Sequence, residues 1–249
     1  ARRPNRAAKN EPAPDFLVAW RSFIADRRAR RFLWALAFGT AAFNMQDIVL
    51  EPYGGEILHL SVGQTSALTA LMAAGSLAAF ALAARLLGRG ADPYRVAAYG
   101  ALAGLPAFSA VIFAAPLESP ALFRAGTALI GFGAGLFAVG TLTAAMGLER
   151  KEHVGLALGA WGAVQATAAG LAIGAGGALR DLVSGLATQG LLGPALNTPA
   201  TGYSVVYHLE LYGLFAALIA IGPLVRARRA AACAAGPSMQ KFGLADLPG

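Results

Sequence analysis

Charged residues are scarce in this sequence. Only 13% of its 249 residues are Asp, Glu, Lys or Arg, while 57% are hydrophobic. A soluble domain carries about 25% charged residues, so a soluble globular protein of this size is excluded. The long apolar runs and the 31 glycines predict instead an all-α membrane protein with several transmembrane helices.

Cysteine and histidine are also nearly absent. A single cysteine, Cys233, excludes a disulfide within the chain and any site made of several cysteines. The three histidines are scattered and show no metal-ligand spacing. The sequence contains no nucleophile elbow, P-loop or HExxH pattern. We therefore expect a protein that is not an enzyme.

The N-terminus lacks the pattern of a signal peptide. The sequence starts at Ala1 rather than at a methionine, and no cleavage-site pattern follows it. This beginning favours a chain whose earlier part is missing.

The basic residues are grouped rather than spread. Eighteen of the twenty Lys and Arg residues precede the first apolar run, follow the last one or lie in the connections on that same side. Only Arg124 and Arg180 lie on the opposite side. The positive-inside rule then predicts that both termini are cytoplasmic. The net charge of +7 thus reflects membrane topology, and we expect no nucleic-acid partner.

Six runs of about 20 or more largely uncharged residues predict six transmembrane helices. Asp92 and Ser119 each precede a proline and are predicted to cap the third and fourth helices. The connection 180–202 is rich in Gly, Thr, Asn and Pro, which predicts an irregular loop outside the membrane. The six predicted helices lie near 32–54, 64–88, 93–115, 120–147, 154–179 and 203–226.

The segment before these helices has its own pattern. Phe16, Trp20 and Phe23 recur at helical spacing among arginines. This pattern predicts an amphipathic helix that lies at the membrane surface or, alternatively, packs on a protein partner. The predicted organisation is a basic cytoplasmic linker at 1–31, a six-helix transmembrane domain at 32–229 and a cytoplasmic tail at 230–249.

Glycines four residues apart recur in the fourth and fifth predicted helices. This spacing lets helices approach closely in lipid, and no strand precedes it, which argues against a dinucleotide loop. Gln165 lies between two of the pairs and is predicted either to form an interhelical hydrogen bond or to line a cavity. The pairs predicted to pack within this bundle or against a partner helix are Gly131 with Gly135, Gly155 with Gly159, and Gly170 with Gly174.

An acidic stretch interrupts the first predicted helix. Asp47 lies roughly 22 Å along a helix that starts near residue 32, within a hydrocarbon core about 30 Å thick. A carboxylate at this depth indicates a functional site. Asn44, Asp47 and Glu51 are expected to share one face of the helix. Glu56, further along, is expected to be wetted at the outer interface.

A break is predicted near the end of the same stretch. Pro52 disfavours a helical conformation at the residue before it. Gly54 and Gly55 free the backbone, so we predict a hinge over Pro52 to Gly55. Tyr53 is expected to place its ring at interfacial depth.

The run QDIVLEPYGG from Gln46 to Gly55 resembles the hallmark of the seventh helix in the PucC/LhaA-type bacteriochlorophyll-delivery branch of the major facilitator superfamily. The resemblance extends over about 31–229. That branch has twelve helices in two halves. The resemblance therefore implies a C-terminal six-helix half that is completed by a second half in the same or another chain.

The connection between the second and third predicted helices resembles another motif of the superfamily. Gly88, Asp92 and Arg95 match a degenerate form of its short cytoplasmic loop motif. A helix cap at Asp92 and topological charges at the arginines explain the same residues equally well.

The resemblance implies a membrane assembly factor for light-harvesting complexes. Its expected cofactor is bacteriochlorophyll, and its expected partners are membrane lipid, antenna α/β polypeptides and the core photosynthetic complex. The implied location is the bacterial inner, intracytoplasmic photosynthetic membrane. Two other functions stay open, namely a proton-coupled secondary transporter of a small solute and a permanent structural subunit of a photosynthetic complex.

The polar residues of the acidic stretch are the expected ligand-binding groups. They can hydrogen-bond pigment substituents or supply oxygen ligands to magnesium. His59, nearby, is the first histidine to test as an axial magnesium ligand. The full candidate set is Asn44, Gln46, Asp47, Glu51, Tyr53 and Gln165.

Overall fold

The computed structural model describes residues 16–148 and 154–234. The predicted linker before residue 16 and the predicted tail after residue 234 lie outside these ranges. The described residues form helices and contain no strand. The helices are α1 (Phe16–Ala25), α2 (Arg27–Asn44), α3 (Leu50–Glu56), α4 (Val62–Gly88), α5 (Pro93–Ala114), α6 (Pro120–Met146), α7 (Val154–Thr188) and α8 (Ala200–Ala234).

The predicted all-α membrane fold is confirmed. Among the described residues, six helical segments are long and apolar enough to cross a membrane, and the first of them combines α2 and α3 with the turn between them. A further helix, α1, precedes them. The first segment begins at Arg27 rather than near residue 32, because the Asp26 carboxylate accepts hydrogen bonds from the backbone N–H groups of Arg28 and Ala29.

The two predicted proline caps are confirmed. The side chain of Asp92 accepts from the backbone N–H of Tyr94 at 3.2 Å, and Ser119 does the same for Leu122 at 3.3 Å. Each proline then occupies the start of its helix, where its missing N–H has no intrahelical partner to lose.

Helix α1 rests on the bundle by its aromatic side chains. The rings of Trp20 and Phe23 stack with their centroids 6.0 Å apart. Phe23 is buried in a cluster with Ala157 and Ala160 of α7. Trp20 and Phe23 of the predicted aromatic face therefore pack against α7 within the same chain.

Glycines bring α4, α5 and α6 into backbone contact. A Cβ on Gly131 would overlap the backbone carbonyl of Met72 in α4, and one on Gly135 would lie 2.8 Å from the Cβ of Ala79. These two glycines thus have the packing role predicted for them. Gly100 of α5 meets the backbone of α6 at Gly133 in the same way.

The glycines of α7 behave differently. A Cβ at any of the four predicted packing positions would meet nothing within 4 Å in the described part of the chain. Packing within the bundle is therefore not observed for them, and contact with a partner helix stays a prediction. The four are Gly155, Gly159, Gly170 and Gly174.

The first spanning segment breaks earlier than predicted. Met45–Ile48 form a 3₁₀ turn, and α3 then runs through Pro52, Gly54 and Gly55 without interruption. The predicted hinge over these residues is therefore wrong. Because the proline ring excludes an α-helical carbonyl four residues before it, the α-helix is interrupted in the preceding turn and not after it.

The chain reverses direction after α3. The connection between Glu56 and Val62 carries His59 in a left-handed conformation, with φ of 53°. Gly54 is buried and faces the ring of Phe123, whereas a Cβ on Gly55 would meet only open space.

The last connection is shorter than predicted. Helix α7 continues to Thr188, so the non-helical part of 180–202 is reduced to 189–199 and contains one 3₁₀ turn, Pro194–Leu196. Arg180 lies inside α7, and its guanidinium pairs with the carboxylate of Glu56 at 2.6 Å.

Candidate functional site

A buried carboxyl group faces the break in the first spanning segment. Glu210 lies on α8 and is fully buried, with 0% of its surface exposed. The backbone N–H of Gln46 is directed towards it from the 3₁₀ turn. Neither carboxylate oxygen makes a hydrogen bond of good geometry within the described chain. An acid buried in this way inside a spanning helix is energetically costly and indicates a functional site.

Gln46 links this buried acid to an exposed one. Its side-chain Nε2 donates to Oδ1 of Asp47 at 2.6 Å and approaches the sulfur of Met72 at 3.6 Å. Its Oε1 is buried and has no hydrogen-bond partner among the described residues. Asp47 itself is exposed. The backbone of Gln46 therefore faces Glu210, while its side chain holds Asp47.

Three tyrosines pack together inside the bundle, and one of them, Tyr207, precedes Glu210 by about one helical turn. The ring of Tyr53 lies 5.5 Å from that of Tyr207 and 5.3 Å from that of Tyr203, measured between centroids. The Tyr53 hydroxyl donates to the carbonyl of Val111 at 3.1 Å. Tyr53 is thus inside the bundle, and the interfacial depth of its ring stays a prediction. The buried hydroxyl of Tyr207 has no hydrogen-bond partner within the described chain.

Asn44 and Glu51, which were expected to share a face with Asp47, have hydrogen-bond partners of their own. Asn44 donates to the carbonyl of Thr40 in its own helix at 2.7 Å. Glu51 accepts from the hydroxyl of Thr69 on α4 at 3.0 Å. The expected single face of Asn44, Asp47 and Glu51 assumed one continuous α-helix, and the 3₁₀ turn between them removes that continuity.

Gln46, Asp47 and Glu210 form the buried polar cluster at the break in the first segment, with Asp47 at its exposed edge. The other candidates lie outside this cluster. Gln165 is half-buried on α7, and no hydrogen bond joins it to the cluster in the described part of the chain. His59 is exposed in the turn before α4. Gly88 ends α4, Asp92 caps α5 and Arg95 is exposed, which is consistent with a connection whose role is capping and topology.

Sequence reasoning missed Glu210. It interrupts the apolar run 203–226 just as Asp47 interrupts the first run. The same rule, that an acid within a spanning helix indicates function, was enough to select it. Only its apposition to Gln46 required the structure.

An open apolar groove runs between α2 and α7 and ends beside the cluster. Its volume is about 610 Å³. Trp20 of α1 borders this α2/α7 groove, and Met45, which precedes Gln46, is part of its wall. A depression of about 340 Å³ that contains Gly155 and Gly159 shares Trp20 with it. Two of the open α7 glycines therefore contribute to an open apolar surface of the described chain.

A second polar cluster joins three helices near the ends of α3 and α7. Oε2 of Glu56 accepts from Arg180 at 2.6 Å and from the hydroxyl of Tyr203 at 2.7 Å. Arg180 also donates to Tyr203. Glu56 is exposed at the end of α3, and it also connects α3 to both α7 and α8.

Glu56→Ala is expected to lower the free energy of unfolding by about 1–2 kcal/mol. The exposed ion pair contributes about 0–1 kcal/mol, and the hydrogen bond to Tyr203 contributes about 1 kcal/mol. Thermal unfolding in detergent of Glu56→Ala, Arg180→Ala and the double variant measures this coupling. Glu118→Ala, at another exposed acid, serves as the control, and strictly additive effects of the two single changes would contradict the prediction.

Comparison with known proteins places these features in a family. The family model described as "PUCC protein" matches residues 1–229. Protein PucC of Rhodovulum sulfidophilum is 50% identical over 162 residues, which cover 65% of this chain and 36% of that protein. Protein PucC of Cereibacter sphaeroides is 48% identical over 237 residues, which cover 91% of this chain and 49% of that protein.

A more distant relative has a different name. The "Bacteriochlorophyll synthase 44.5 kDa chain" of Rhodobacter capsulatus is 32% identical over 168 residues, which cover 65% of this chain and 39% of that protein. This chain spans about half the length or less of these curated relatives. No solved structure matches it significantly. With a family model that matches most of its length, the chain belongs to the PUCC protein family.

Proposed function

We propose that this chain is part of a membrane assembly factor for bacterial light-harvesting complexes, which handles bacteriochlorophyll and passes it to antenna α/β polypeptides. The observation that carries the proposal is the open α2/α7 groove, which ends beside the buried polar cluster. A relative named for bacteriochlorophyll synthesis supports the choice of pigment. The proposed role is binding and hand-over, without a chemical reaction.

The α2/α7 groove fits a pigment of this kind. Its volume of about 610 Å³ lies within the range of about 300–1,000 Å³ that is usual for small-molecule sites. The walls are alanine, leucine, valine, phenylalanine and methionine side chains, with Thr167 among the few polar groups. Such a surface suits a phytylated macrocycle, while Asp47 at the exposed edge of the cluster can orient its polar substituents.

The exposed faces of α4 and α7 suggest where partners bind. Only 17% of the apolar stretch of each is buried, against 44% for α5 and 56% for α6. Exposed alanines on α4, such as Ala70, Ala74 and Ala81, and the open glycines of α7 allow another helix to approach closely. We propose that a second six-helix half covers part of these faces, as in the major facilitator superfamily, and that antenna helices and the core photosynthetic complex contact the remainder.

The proposed location follows from the same function. An assembly factor for antenna complexes belongs in the bacterial inner, intracytoplasmic photosynthetic membrane. With most basic residues on one side of the six segments, both termini are proposed to be cytoplasmic.

Ala168→Trp is expected to weaken pigment binding in the groove by at least about tenfold, or about 1.4 kcal/mol, and so to reduce the yield of pigmented light-harvesting complexes. Ala168 lines the α2/α7 groove, and an indole there would occupy the space proposed for the pigment. Near-infrared absorbance of membranes from complemented cells measures the yield, and immunoblotting checks the amount of the variant protein.

The matched control for this change is Ala125→Trp. Ala125 is an exposed alanine of α6 and is not part of the α2/α7 groove. A normal yield in Ala168→Trp cells would argue against pigment handling in this groove. Stoichiometric co-purification with mature complexes and not with intermediates would indicate instead a permanent structural subunit.

A second candidate function is favoured by Glu210. A buried acid beside a broken helix is a feature of proton-coupled secondary transporters. This alternative predicts pH-dependent solute uptake by vesicles, which Asp47→Asn or Glu210→Gln would abolish. Uptake that is absent in the wild type would exclude it.

A further inference from the structure

A third cavity lies on a different surface of the bundle, near the start of α8. Its volume is about 920 Å³, and most of its lining is apolar. The walls come from the ends of α3, α5 and α7, the connection 189–199 and the first turns of α8. His208 and Tyr212, one helical turn apart, belong to the α8 wall.

The imidazole of His208 is held in one tautomer. Its Nδ1 lies 2.6 Å from the carbonyl oxygen of Ser204. A carbonyl oxygen can only accept a hydrogen bond, so Nδ1 carries the proton and Nε2 of the neutral ring keeps its lone pair. Histidines that bind metals characteristically donate the other ring N–H to a backbone carbonyl in this way. No hydrogen bond to Nε2 occurs within the described chain.

Centring α8 on the membrane also puts His208 at the depth of the hydrocarbon core. The apolar part of α8, Ala200–Ala227, is about 40 Å long at 1.5 Å per residue. Centring it on a core about 30 Å thick leaves about 5 Å beyond each boundary. His208 is about 12 Å from the start of the helix, and so about 7 Å inside the core. His208 is exposed on the surface of the bundle, so at this depth its Nε2 lone pair faces lipid unless a ligand satisfies it.

The residues around His208 limit which kind of metal can bind there. No group of three or more His, Cys, Asp or Glu side chains that can hold a metal ion occurs in the described residues. A bare cation needs several protein ligands. A metal with four coordination positions already filled by a macrocycle needs only one axial ligand from the protein. The lining of this cavity contains one histidine, His208.

We propose that His208 is the axial magnesium ligand of a bacteriochlorophyll bound in this third cavity, with Nε2 coordinated to the metal. Magnesium, rather than haem iron, is inferred because this site rests on the proposed function in pigment handling. The apolar walls would contact the macrocycle and its tail, and Tyr212 would lie against the ring system. His59, the histidine first selected from the sequence, does not line this cavity.

The test uses the protein purified in mild detergent from a photosynthetic bacterium and titrated with bacteriochlorophyll a. His208→Ala is expected to weaken binding by at least about tenfold, the lower end of the effect seen when support of a metal ligand is lost. The Qx absorption band, which reports the number of axial ligands on magnesium, is expected to shift. Magnesium-free bacteriopheophytin a should bind the wild type and the variant equally.

Two further variants sharpen this test. Added imidazole is expected to restore binding and the Qx position in His208→Gly, because it supplies the missing ligand. His59→Ala is the matched control and should behave as the wild type. Circular dichroism melting shows whether each variant remains folded.

The possible failures are distinguishable. If the wild type binds bacteriochlorophyll a and His208→Ala binds it equally well with an unchanged Qx band, the axial site is wrong and the proposed function survives. Equal losses of bacteriochlorophyll and bacteriopheophytin would also overturn the ligand role. Tighter binding of haem than of bacteriochlorophyll would overturn the choice of metal. A wild type that binds no pigment would refute the proposed function as well.

Discussion

Gly131→Leu is expected to prevent the chain from accumulating as a folded protein. A Cβ at this position would overlap the backbone carbonyl of Met72 on α4, and a leucine adds three further carbons. Overpacking of a core costs about 1–3 kcal/mol and occasionally more. The upper end of this range applies here, because the leucine would meet the backbone of α4, which cannot move aside as a side chain can. A loss of this size is a large part of a total stability of about 5–15 kcal/mol.

The amount of folded protein after detergent extraction, measured by fluorescence-detected gel filtration, tests this expectation. Gly174→Leu is the matched control, because a Cβ there meets open space, and it should leave the folded amount near that of the wild type. Wild-type amounts of folded Gly131→Leu protein would show that the close approach of α4 and α6 is not required. A Gly174→Leu protein that folds but fails to support complex assembly would locate the partner surface on α7.

Glu210→Gln is expected to abolish function while it leaves the fold intact or more stable. The amide preserves the shape of the side chain and removes an ionisable group that is buried without a hydrogen-bond partner of its own in the described chain. An ionised carboxylate is costly to bury without a partner, and the neutral amide avoids that cost. Loss of the acid should nevertheless lower the yield of light-harvesting complexes at least about tenfold, since costly intramembrane acids are functional by default.

Two measurements on the same cells decide this prediction. Thermal unfolding in detergent reports stability, and near-infrared absorbance reports the yield of pigmented complexes. Glu118→Gln, at an exposed acid in the connection before α6, is the control and should match the wild type in both. Full activity of Glu210→Gln, together with loss of activity in Glu210→Ala, would indicate a role of side-chain shape and not of the acid.

The two sites proposed for pigment lie on different surfaces of the bundle. The α2/α7 groove ends at the break in the first segment, whereas His208 belongs to the cavity at the start of α8. A protein that hands over a pigment benefits from one surface for reception and another for release. The Ala168→Trp and His208→Ala variants separate these roles, since each alters one surface only.

The membrane class, the six spanning segments and the caps at Asp92 and Ser119 were predictable from the sequence. Each of these features depends on composition or on residues a few positions apart, because an apolar run must cross the bilayer and a cap acts within one turn. The family was also predictable, because the motif from Gln46 to Gly55 is contiguous. The location of the break in the first segment was not predictable in this way. Pro52 disfavours α-helical hydrogen bonding in the whole turn before it, and not only the helical conformation of Glu51.

The functional arrangement depended on contacts between distant parts of the chain. The sequence contains Glu210 and Gln46, but only the packing of α8 against the 3₁₀ turn brings them together. Of the six glycines predicted to pack, only Gly131 and Gly135 meet a neighbouring helix within the described chain. The sequence by itself thus determined what crosses the membrane, because hydrophobicity is local. The tertiary structure alone decided which polar groups and small residues face one another, because helix rotation and crossing are set by packing between segments.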